Sequence, residues 1–360
     1  MHWNQELIFS SFVGFTLAVL LLWQLIPVAA TIGLVDHPNA RNDHFHPTPL
    51  VGGIAMFVAF LVGVLTLDSL PLPYLPLFVG ALVLVVLGVV DDLRGVSVRL
   101  RFPAQILASL LLPAWGGILL NDLGYISSAG ELVSLGGFAV PLTVFASVGV
   151  INAVNMSDGI DGLAGSLTLV TVASLGILAW AGGDSVALSV LLLLASVILA
   201  FLLFNVRISG RALLFMGDAG SMFLGLVLAW FLIGFSQGEG RLMSPATALW
   251  IFAAPLVDTV SMMLRRVLHG RSPFEADREH FHHILRAAGF SRSQTLALVL
   301  ALALTAAAVG LGGFFLGVPE HWMFFGFLSV FGLHFWTIMR AWRVKRFLSR
   351  PLFHPERESV

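Results

Sequence analysis

Apolar runs of about 16 to 25 residues recur along the whole of this 360-residue chain and constrain its fold more than any other feature. Each run is about as long as an α-helix must be to cross a hydrocarbon core of roughly 30 Å. Within hydrocarbon every backbone amide must find its partner inside its own segment, so these runs should be helices. The sequence therefore predicts an all-α, polytopic integral membrane bundle, and the mean hydropathy of +0.94 agrees with that class.

Eleven membrane spans are expected, and the first is interpreted as a retained helix because no basic segment or cleavage site accompanies it. The spans cover about residues 7–31, 50–67, 75–90, 102–120, 136–154, 163–181, 185–204, 217–235, 244–264, 293–317 and 322–341. Residues 1–342 are predicted to form a single transmembrane catalytic domain, and 343–360 a basic cytoplasmic tail.

The distribution of Lys and Arg predicts the orientation. Of the 19 basic residues, all but Arg241 fall in connections from odd-numbered to even-numbered spans or in the C-terminal tail. Cytoplasmic loops carry such an excess, so the N-terminus should lie outside and the C-terminus in the cytoplasm. A net charge of −1 indicates no nucleic-acid partner, and the absence of cysteine excludes thiol chemistry and disulfides.

Polar residues collect at the side predicted to be cytoplasmic. They are Asp91, Asp92, Asn155, Asp158, Asp161, Asp218, His280, His282 and His283. A lone aspartate at a helix end is usually a solvated cap, and Asp218 in "GDAGS" could be an N-cap alone. The joint pattern is harder to explain in that way, and Asp258, within the ninth span, is a functional candidate because burying its charge is costly.

Neighbouring carboxylates raise one another's pKa, and a divalent cation removes that conflict. A set of oxygen ligands without cysteine favours Mg²⁺ or Mn²⁺, and Mg²⁺ takes its remaining ligands from water and phosphates. The histidines, if protonated, would form a cationic lid over a diphosphate together with Arg271, Arg278 and Arg286. This pattern indicates phosphoryl transfer between a soluble nucleotide and a lipid. The competing class is an ion-coupled transporter, whose acids usually lie near the bilayer midplane in repeated halves.

Five stretches then make the chain resemble a known family. They are "GLVDHPNARNDHFHPTPLVGGIAMF", "GVVDDLRGVSVRLRFPAQI", "NAVNMSDGIDGLAGS", "FMGDAGSMFLG" and "SPFEADREHFHHIL". Their order and spacing are similar to those of the polyprenyl-phosphate N-acetylhexosamine-1-phosphate transferases. The "HxHH" ending of the last stretch resembles the GlcNAc-type branch. The resemblance implies a bundle of ten or eleven helices with its site in a cytoplasmic cleft, and a sugar loop at about 265–292.

The resemblance also implies roles for individual residues. Asp218 would be the main Mg²⁺ ligand, with Asn155 as a second. Asp91 and Asp92 would face the lipid phosphate, and Asp158 and Asp161 would line the nucleotide site; these are the four catalytic aspartates. The implied substrate-binding residues are Asn155, Phe215 (stacked on uracil), His280, His282, His283, Arg278, Arg41 and His44.

The implied reaction converts a UDP-N-acetylhexosamine, with GlcNAc expected, and undecaprenyl phosphate into undecaprenyl-diphospho-sugar and UMP. Another N-acetylated sugar, such as FucNAc or QuiNAc, remains an alternative. The resemblance implies Mg²⁺ dependence, a place in the bacterial inner membrane among membrane lipids, and a role in O-antigen or related polysaccharide synthesis. The resemblance does not determine the oligomeric state, and a homodimer is one alternative.

Overall fold

A computed structural model describes residues 3–37, 47–67, 72–127, 130–206, 211–272 and 280–340. Within these ranges the chain forms thirteen α-helices: α1 (Trp3–Ile32), α2 (Gly52–Val64), α3 (Leu75–Arg94), α4 (Val98–Ala114), α5 (Ala139–Ser157), α6 (Leu163–Gly182), α7 (Ser185–Asn205), α8 (Gly217–Gly234), α9 (Pro245–Ile251), α10 (Ala253–Leu268), α11 (Phe281–Ala287), α12 (Arg292–Phe315) and α13 (Glu320–Met339). A short antiparallel pair of strands, β1 (Val35–Asp36) and β2 (Thr48–Pro49), also forms and was not predicted. The helical class is confirmed.

Eight of the described helices are long and apolar enough to cross a membrane, and the bent pair α9 and α10 raises that number to nine. The remaining expected spans contain shorter helices. α2 has 13 residues, and α4 has 17 with two internal prolines. α4 also ends at Ala114 rather than near residue 120, just before Gly117, whose φ of +68° is not helical. The chain is thus a multi-pass membrane protein, and the count of eleven spans stays a prediction.

The expected ninth span is not one straight helix. α9 ends at Ile251, α10 begins at Ala253, and their axes meet at 86°. Pro255 explains the break, because its ring would clash with the carbonyl of Ile251 four residues earlier in a continuous helix. The break directs α10 away from the path of α9, and α10 carries Asp258.

α8 lies at the centre of the bundle, against α2, α3, α5, α6 and α9. Almost every residue after its first turn is buried, as expected for a helix that is apolar on all faces. Its contact with α2 requires glycine. A Cβ on Gly53 would lie 2.1 Å from the backbone nitrogen of Gly220, so no other residue permits this crossing.

The two ends of the bundle carry different polar groups. At one end, the amides of Asn121 and Asp122 donate to Gln237 Oε1, and Arg241 Nη2 donates to Glu320 Oε1 at 2.7 Å. These contacts join the connections α4–α5, α8–α9 and α12–α13. The acidic residues singled out by the sequence lie at the opposite end, where α3 and α5 finish and α8 starts. Arg241 therefore lies at the end opposite these acidic residues. This agrees with the charge distribution, in which Arg241 is the one basic residue outside the odd-to-even connections and the C-terminal tail.

The charge distribution and this geometry together predict which side of the membrane each end of the bundle faces. In the cysteine-free chain, we expect Glu239→Cys to react with a membrane-impermeant maleimide in intact cells, and Arg271→Cys to react only after permeabilisation. Both positions are exposed, so access to the reagent decides the result. Labelling at position 271 but not at 239 in intact cells would reverse the orientation and place the acidic end outside.

Candidate active site

Asp92 joins α3 to the first turn of α8. Its Oδ1 accepts from the amide of Asp218 at 2.9 Å, and its Oδ2 from the amide of Ala219 at 3.5 Å. The first amides of a helix have no partner within the helix and carry partial positive charge, so a carboxylate stabilises them. Gly217 permits the approach, because its φ is +71° and a Cβ there would lie 2.5 Å from Asp92 Oδ2. Asp92 thus caps α8 and fixes the position of Asp218.

Asn155, in the last turn of α5, reaches the same point from another helix. Its Nδ2 donates to Asp218 Oδ1 and, at 2.8 Å, to Ser221 Oγ one turn along α8. Three residues earlier, Asn152 Nδ2 donates to Gln105 Oε1 of α4 at 2.8 Å. The stretch "NAVN" therefore links α5 to its neighbours α4 and α8. It brings Asn155 and Asp218 together, as the sequence predicted.

Arg101 of α4 also belongs to this cluster, and the sequence analysis missed it. Its Nε lies 3.0 Å from Asp91 Oδ2, and its Nη2 lies 3.5 Å from Asp218 Oδ1 and 3.4 Å from Asn155 Oδ1. The other oxygen of Asp91 accepts from the amide of Val96 at 2.7 Å, so this buried carboxylate has one hydrogen bond and one ion-pair contact. The available signal was a base in the first turn of the helix that follows the acidic pair.

Phe215 is held next to this cluster through its backbone. Its amide donates to Pro49 O at 2.7 Å, and its carbonyl accepts from the amide of Gly52 at 3.0 Å. Phe215 precedes Asp218 by three residues, and its ring is half-buried. The segment after β2 thus fixes the backbone before α8, while stacking of the ring on uracil stays a prediction.

Asp158 and Asp161 follow α5 on the same end of the bundle. The side chain of Asp158 reaches water, but the surrounding protein displaces much of its hydration. This desolvation, together with the negative charges of Asp218 and Asp161, raises the pKa of Asp158 to about 7, as expected for neighbouring carboxylates. Arg292, at the start of α12, lies 3.5 Å from Asp161 Oδ2 and is a second base that the sequence analysis did not assign.

The histidine segment approaches these aspartates from α10 and α11. His280 and His282 are buried, and their rings are stacked at 5.8 Å. His280 Nδ1 lies 2.8 Å from Asp258 Oδ2. A Cβ on Gly159 would lie 2.2 Å from His282 Nε2, so the His282 ring packs directly on the loop between α5 and α6. The segment therefore contacts the loop that carries Asp158 and Asp161.

The expected lid of protonated histidines is wrong for His282. Burial, and to a smaller extent the neighbouring His283, lowers the pKa of His282 to about 3, so the ring is neutral in the fold. His283 is half-buried against it, with ring centroids 4.2 Å apart. Arg286 Nη1 donates to Phe290 O at 2.7 Å, which closes the end of α11. Arg41, His44 and Arg278, which were predicted to bind substrate, lie outside the described residues.

The donor set at the end of α8 fits a hard cation. Asp91, Asp92 and Asp218 bring three carboxylates together against one guanidinium. The Asn155 amide donates to Asp218 Oδ1 and accepts from Arg101, so its oxygen would face an ion held by Asp218 only after the amide turns over. In the part of the chain that the structure describes, no three His, Asp or Glu side chains are arranged to hold a metal. Asp218 and Asn155 are therefore the residues that could hold an ion such as Mg²⁺, whose other ligands are usually water and phosphates.

The chain is similar to known glycosyl transferases. The model of glycosyl transferase family 4 matches residues 74–236. The chain is 40% identical over 342 residues to the undecaprenyl-phosphate alpha-N-acetylglucosaminyl 1-phosphate transferase of Escherichia coli K12, which covers 93% of this chain and 92% of that protein. The proteins of the same name from Salmonella typhi and Haemophilus influenzae are also 40% identical, over 90% and 95% of this chain and 88% and 96% of their own lengths.

The neutral His282 gives a prediction about stability and pH. Its pKa in the fold, about 3, lies below its ordinary value of 6.5, so the unfolded chain binds more protons between these values. The stability that His282 contributes is complete above pH 6.5 and is lost as the pH falls toward 3. In thermal unfolding of the purified protein, His282→Gln should remove this part of the pH dependence, at most about 1.4 kcal/mol per pH unit.

The matched control is His321→Gln, which changes a histidine at the far end of α13. This variant should keep the wild-type slope between pH 6.5 and 4.5. Equal slopes for wild type and His282→Gln would mean that His282 is protonated in the fold and would restore the cationic lid.

Proposed function

Because the chain belongs to glycosyl transferase family 4, together with the undecaprenyl-phosphate alpha-N-acetylglucosaminyl 1-phosphate transferases, we propose that it transfers GlcNAc-1-phosphate from UDP-GlcNAc to undecaprenyl phosphate. The products are undecaprenyl-diphospho-GlcNAc and UMP. The observation that carries the proposal is the meeting of Asp218, Asn155, Asp91, Asp92 and Arg101 where α3, α4, α5 and α8 converge. This placement, at the end of a membrane bundle, suits one lipid substrate and one soluble substrate.

The proposed location is the bacterial inner membrane, with the acidic end facing the cytoplasm, where a nucleotide sugar is available. The reaction would then be the first membrane step of a cell-envelope polysaccharide such as O-antigen. The Lys and Arg distribution supports this orientation.

Asp218 and Asn155 would hold Mg²⁺, which when bound neutralises the charge of a diphosphate. Arg101 places a positive charge at this point, and its guanidinium forms ion pairs with both Asp91 and Asp218. A guanidinium favours phosphate oxygens because it presents several donors in one plane. Arg101 is therefore placed to exchange one of its carboxylate contacts for a substrate phosphate.

The geometry favours direct attack by the lipid phosphate. An oxygen of the lipid phosphate forms a bond to the β-phosphorus of the nucleotide sugar. The bond from that phosphorus to the oxygen bridging to UMP breaks, and the sugar C1–O bond stays intact. The second pKa of a phosphate monoester is about 6, so the nucleophile is largely ionised near pH 7 and needs no strong base. Asp91 is buried, its Oδ1 accepts from the amide of Val96 and its Oδ2 lies 3.0 Å from Arg101 Nε, so it is a poor candidate for a covalent nucleophile.

Asp158, Asp161 and the backbone before α8 would form the nucleotide side of the site, with Phe215 on uracil. Arg292 holds Asp161 from the start of α12, and the amide of Ala212 lies 3.4 Å from the same oxygen. Positioning and charge stabilisation of this kind account for most of the catalysis in phosphoryl transfer.

The direct test offers the purified protein undecaprenyl phosphate and a panel of UDP-sugars, including UDP-GlcNAc, UDP-FucNAc and UDP-QuiNAc, and measures UMP. We expect release with UDP-GlcNAc that depends on both lipid and Mg²⁺. Release with another of the sugars would keep the reaction and correct the donor. No release with any donor would reject the proposed reaction and leave the ion-coupled transporter as the alternative.

Asp218→Asn tests the metal assignment. The change keeps the shape of the side chain but removes its charge, so UMP release should fall by at least about 100-fold at saturating Mg²⁺. Asp122→Asn, at the opposite end of the bundle, is the matched control and should keep normal activity. Near-normal turnover of Asp218→Asn at low Mg²⁺ would mean that Asp218 serves only as part of the helix start.

A further inference from the structure

Asp258 is the acid that the proposed reaction does not use. It lies on α10, one turn after the break at Pro255, and its side chain is only 18% exposed. An ionisable residue within an apolar span is costly, and such residues are usually kept for a specific partner. The partners of Asp258 therefore indicate its role.

Two hydrogen bonds and a second histidine converge on the Asp258 carboxylate. Oδ2 lies 2.8 Å from His280 Nδ1, and Oδ1 accepts from the amide of Phe281 at 3.0 Å. On the last helix, α13, His334 Nε2 lies 3.4 Å from Oδ1. The carboxylate is therefore contacted by His280 and Phe281, the first two residues of the "HFHH" segment, on one side and by His334 on the other.

The contact with Nδ1 sets the chemistry of the His280 ring. A carboxylate oxygen accepts only from a protonated nitrogen, so Nδ1 must carry hydrogen. Nε2 is then the nitrogen at which the ring exchanges protons or bonds another group. Packing against His282 holds the plane of the ring, but packing does not select the tautomer, which depends on the hydrogen bond that the other nitrogen makes.

His334 is held at Asp258 by its own surroundings. The ring of Phe281 meets the ring of His334 edge-on, with centroids 5.4 Å apart. Met262, Ile284 and Ile338, from α10, α11 and α13, pack against Phe281. α13 therefore contacts the histidine segment next to the Asp258 carboxylate.

We propose that Asp258 is a positioning residue that fixes the tautomer and direction of His280 for the diphosphate of the nucleotide sugar, and that His334 holds Asp258 in place. The assignment of a diphosphate to His280 rests on the proposed function. The placement of Asp258, His280 and His334 does not.

The first experiment reads the tautomer without turnover. The purified protein is labelled with ¹⁵N-histidine, and His280→Gln identifies the His280 signals by their loss. We expect a protonated Nδ1 in the wild type, and a shift of that proton to Nε2 in Asp258→Ala. If Asp258→Ala fails to fold, Asp258→Asn, which keeps the shape, replaces it, and its His280 should show a partial shift of the same sign. An unprotonated Nδ1 in the wild type, or an unchanged tautomer in the folded variant, would overturn the proposal.

The second experiment asks whether Asp258 acts through His280. Asp258→Asn should lower kcat for UMP release by about 10- to 100-fold, the range typical of residues that orient a functional side chain. KM for undecaprenyl phosphate should stay within twofold. The double variant Asp258→Asn, His280→Gln should be no slower than His280→Gln alone, because the two residues act as one unit. Losses that multiply, or an Asp258→Asn enzyme with normal kcat, would reduce Asp258 to a structural residue.

The role of His334 has a matched control on the same helix. His334→Leu should lower kcat and add nothing to Asp258→Asn, whereas His321→Leu, 13 residues earlier and about 20 Å away, should leave kcat unchanged. Equal kcat in both leucine variants and the wild type would remove His334 from the proposal. If the wild type releases no UMP from any UDP-sugar, the proposed function fails, and the tautomer measurement still decides whether Asp258 positions His280.

Discussion

The carboxylate of Asp92 on the first amides of α8 is the contact on which the rest of the site depends. Gly217 and Ala219 are buried at the start of α8, so its first amides need partners within the protein, and an unsatisfied buried amide is expensive. Asp92 reaches them from α3, and Gly217 leaves the space for it. Once this end of α8 is fixed, Asp218 must lie between Asn155 of α5 and Arg101 of α4. One capping contact thus determines where four helices present their polar residues.

The charges at this point are unbalanced in a way that suits the proposed substrates. Asp91, Asp92 and Asp218 face one guanidinium, that of Arg101, with Asp158 and Asp161 beyond them. Desolvation and mutual repulsion raise the pKa of Asp158, which measures the same excess of negative charge. A diphosphate would add to this repulsion, which supports the proposal that a divalent cation accompanies the nucleotide. The proposed direct attack of the lipid phosphate, by contrast, needs no base from the chain.

Hydropathy predicted the helical class, and the alternation of the spans placed Asp218 and Asn155 at the same end, while their pairing was implied by the resemblance to the family. The sequence could not predict the break after Ile251 as a bend of 86°, since a proline ends a helix without fixing the direction of the next one. Arg101 was missed because its partners are distant in sequence; only the register of α4 against α3 and α8 brings them together. The wrong prediction of a protonated His282 has a similar cause. A histidine-rich loop is expected to be solvated, and only the fold shows that His282 packs on Gly159.

That packing explains how the two halves of the site are joined. His282 sits on the loop that carries Asp158 and Asp161, and no side chain larger than that of glycine fits at position 159. Neighbouring His280 is held by Asp258, which the break at Pro255 brings within reach. A protonated His282 would carry an unshared charge into this contact, so its neutral state is part of the fold rather than of the chemistry. On the proposal above, the two histidines therefore have different roles. His282 packs the segment against the loop that carries Asp158 and Asp161, and His280, whose tautomer Asp258 fixes, contacts the substrate.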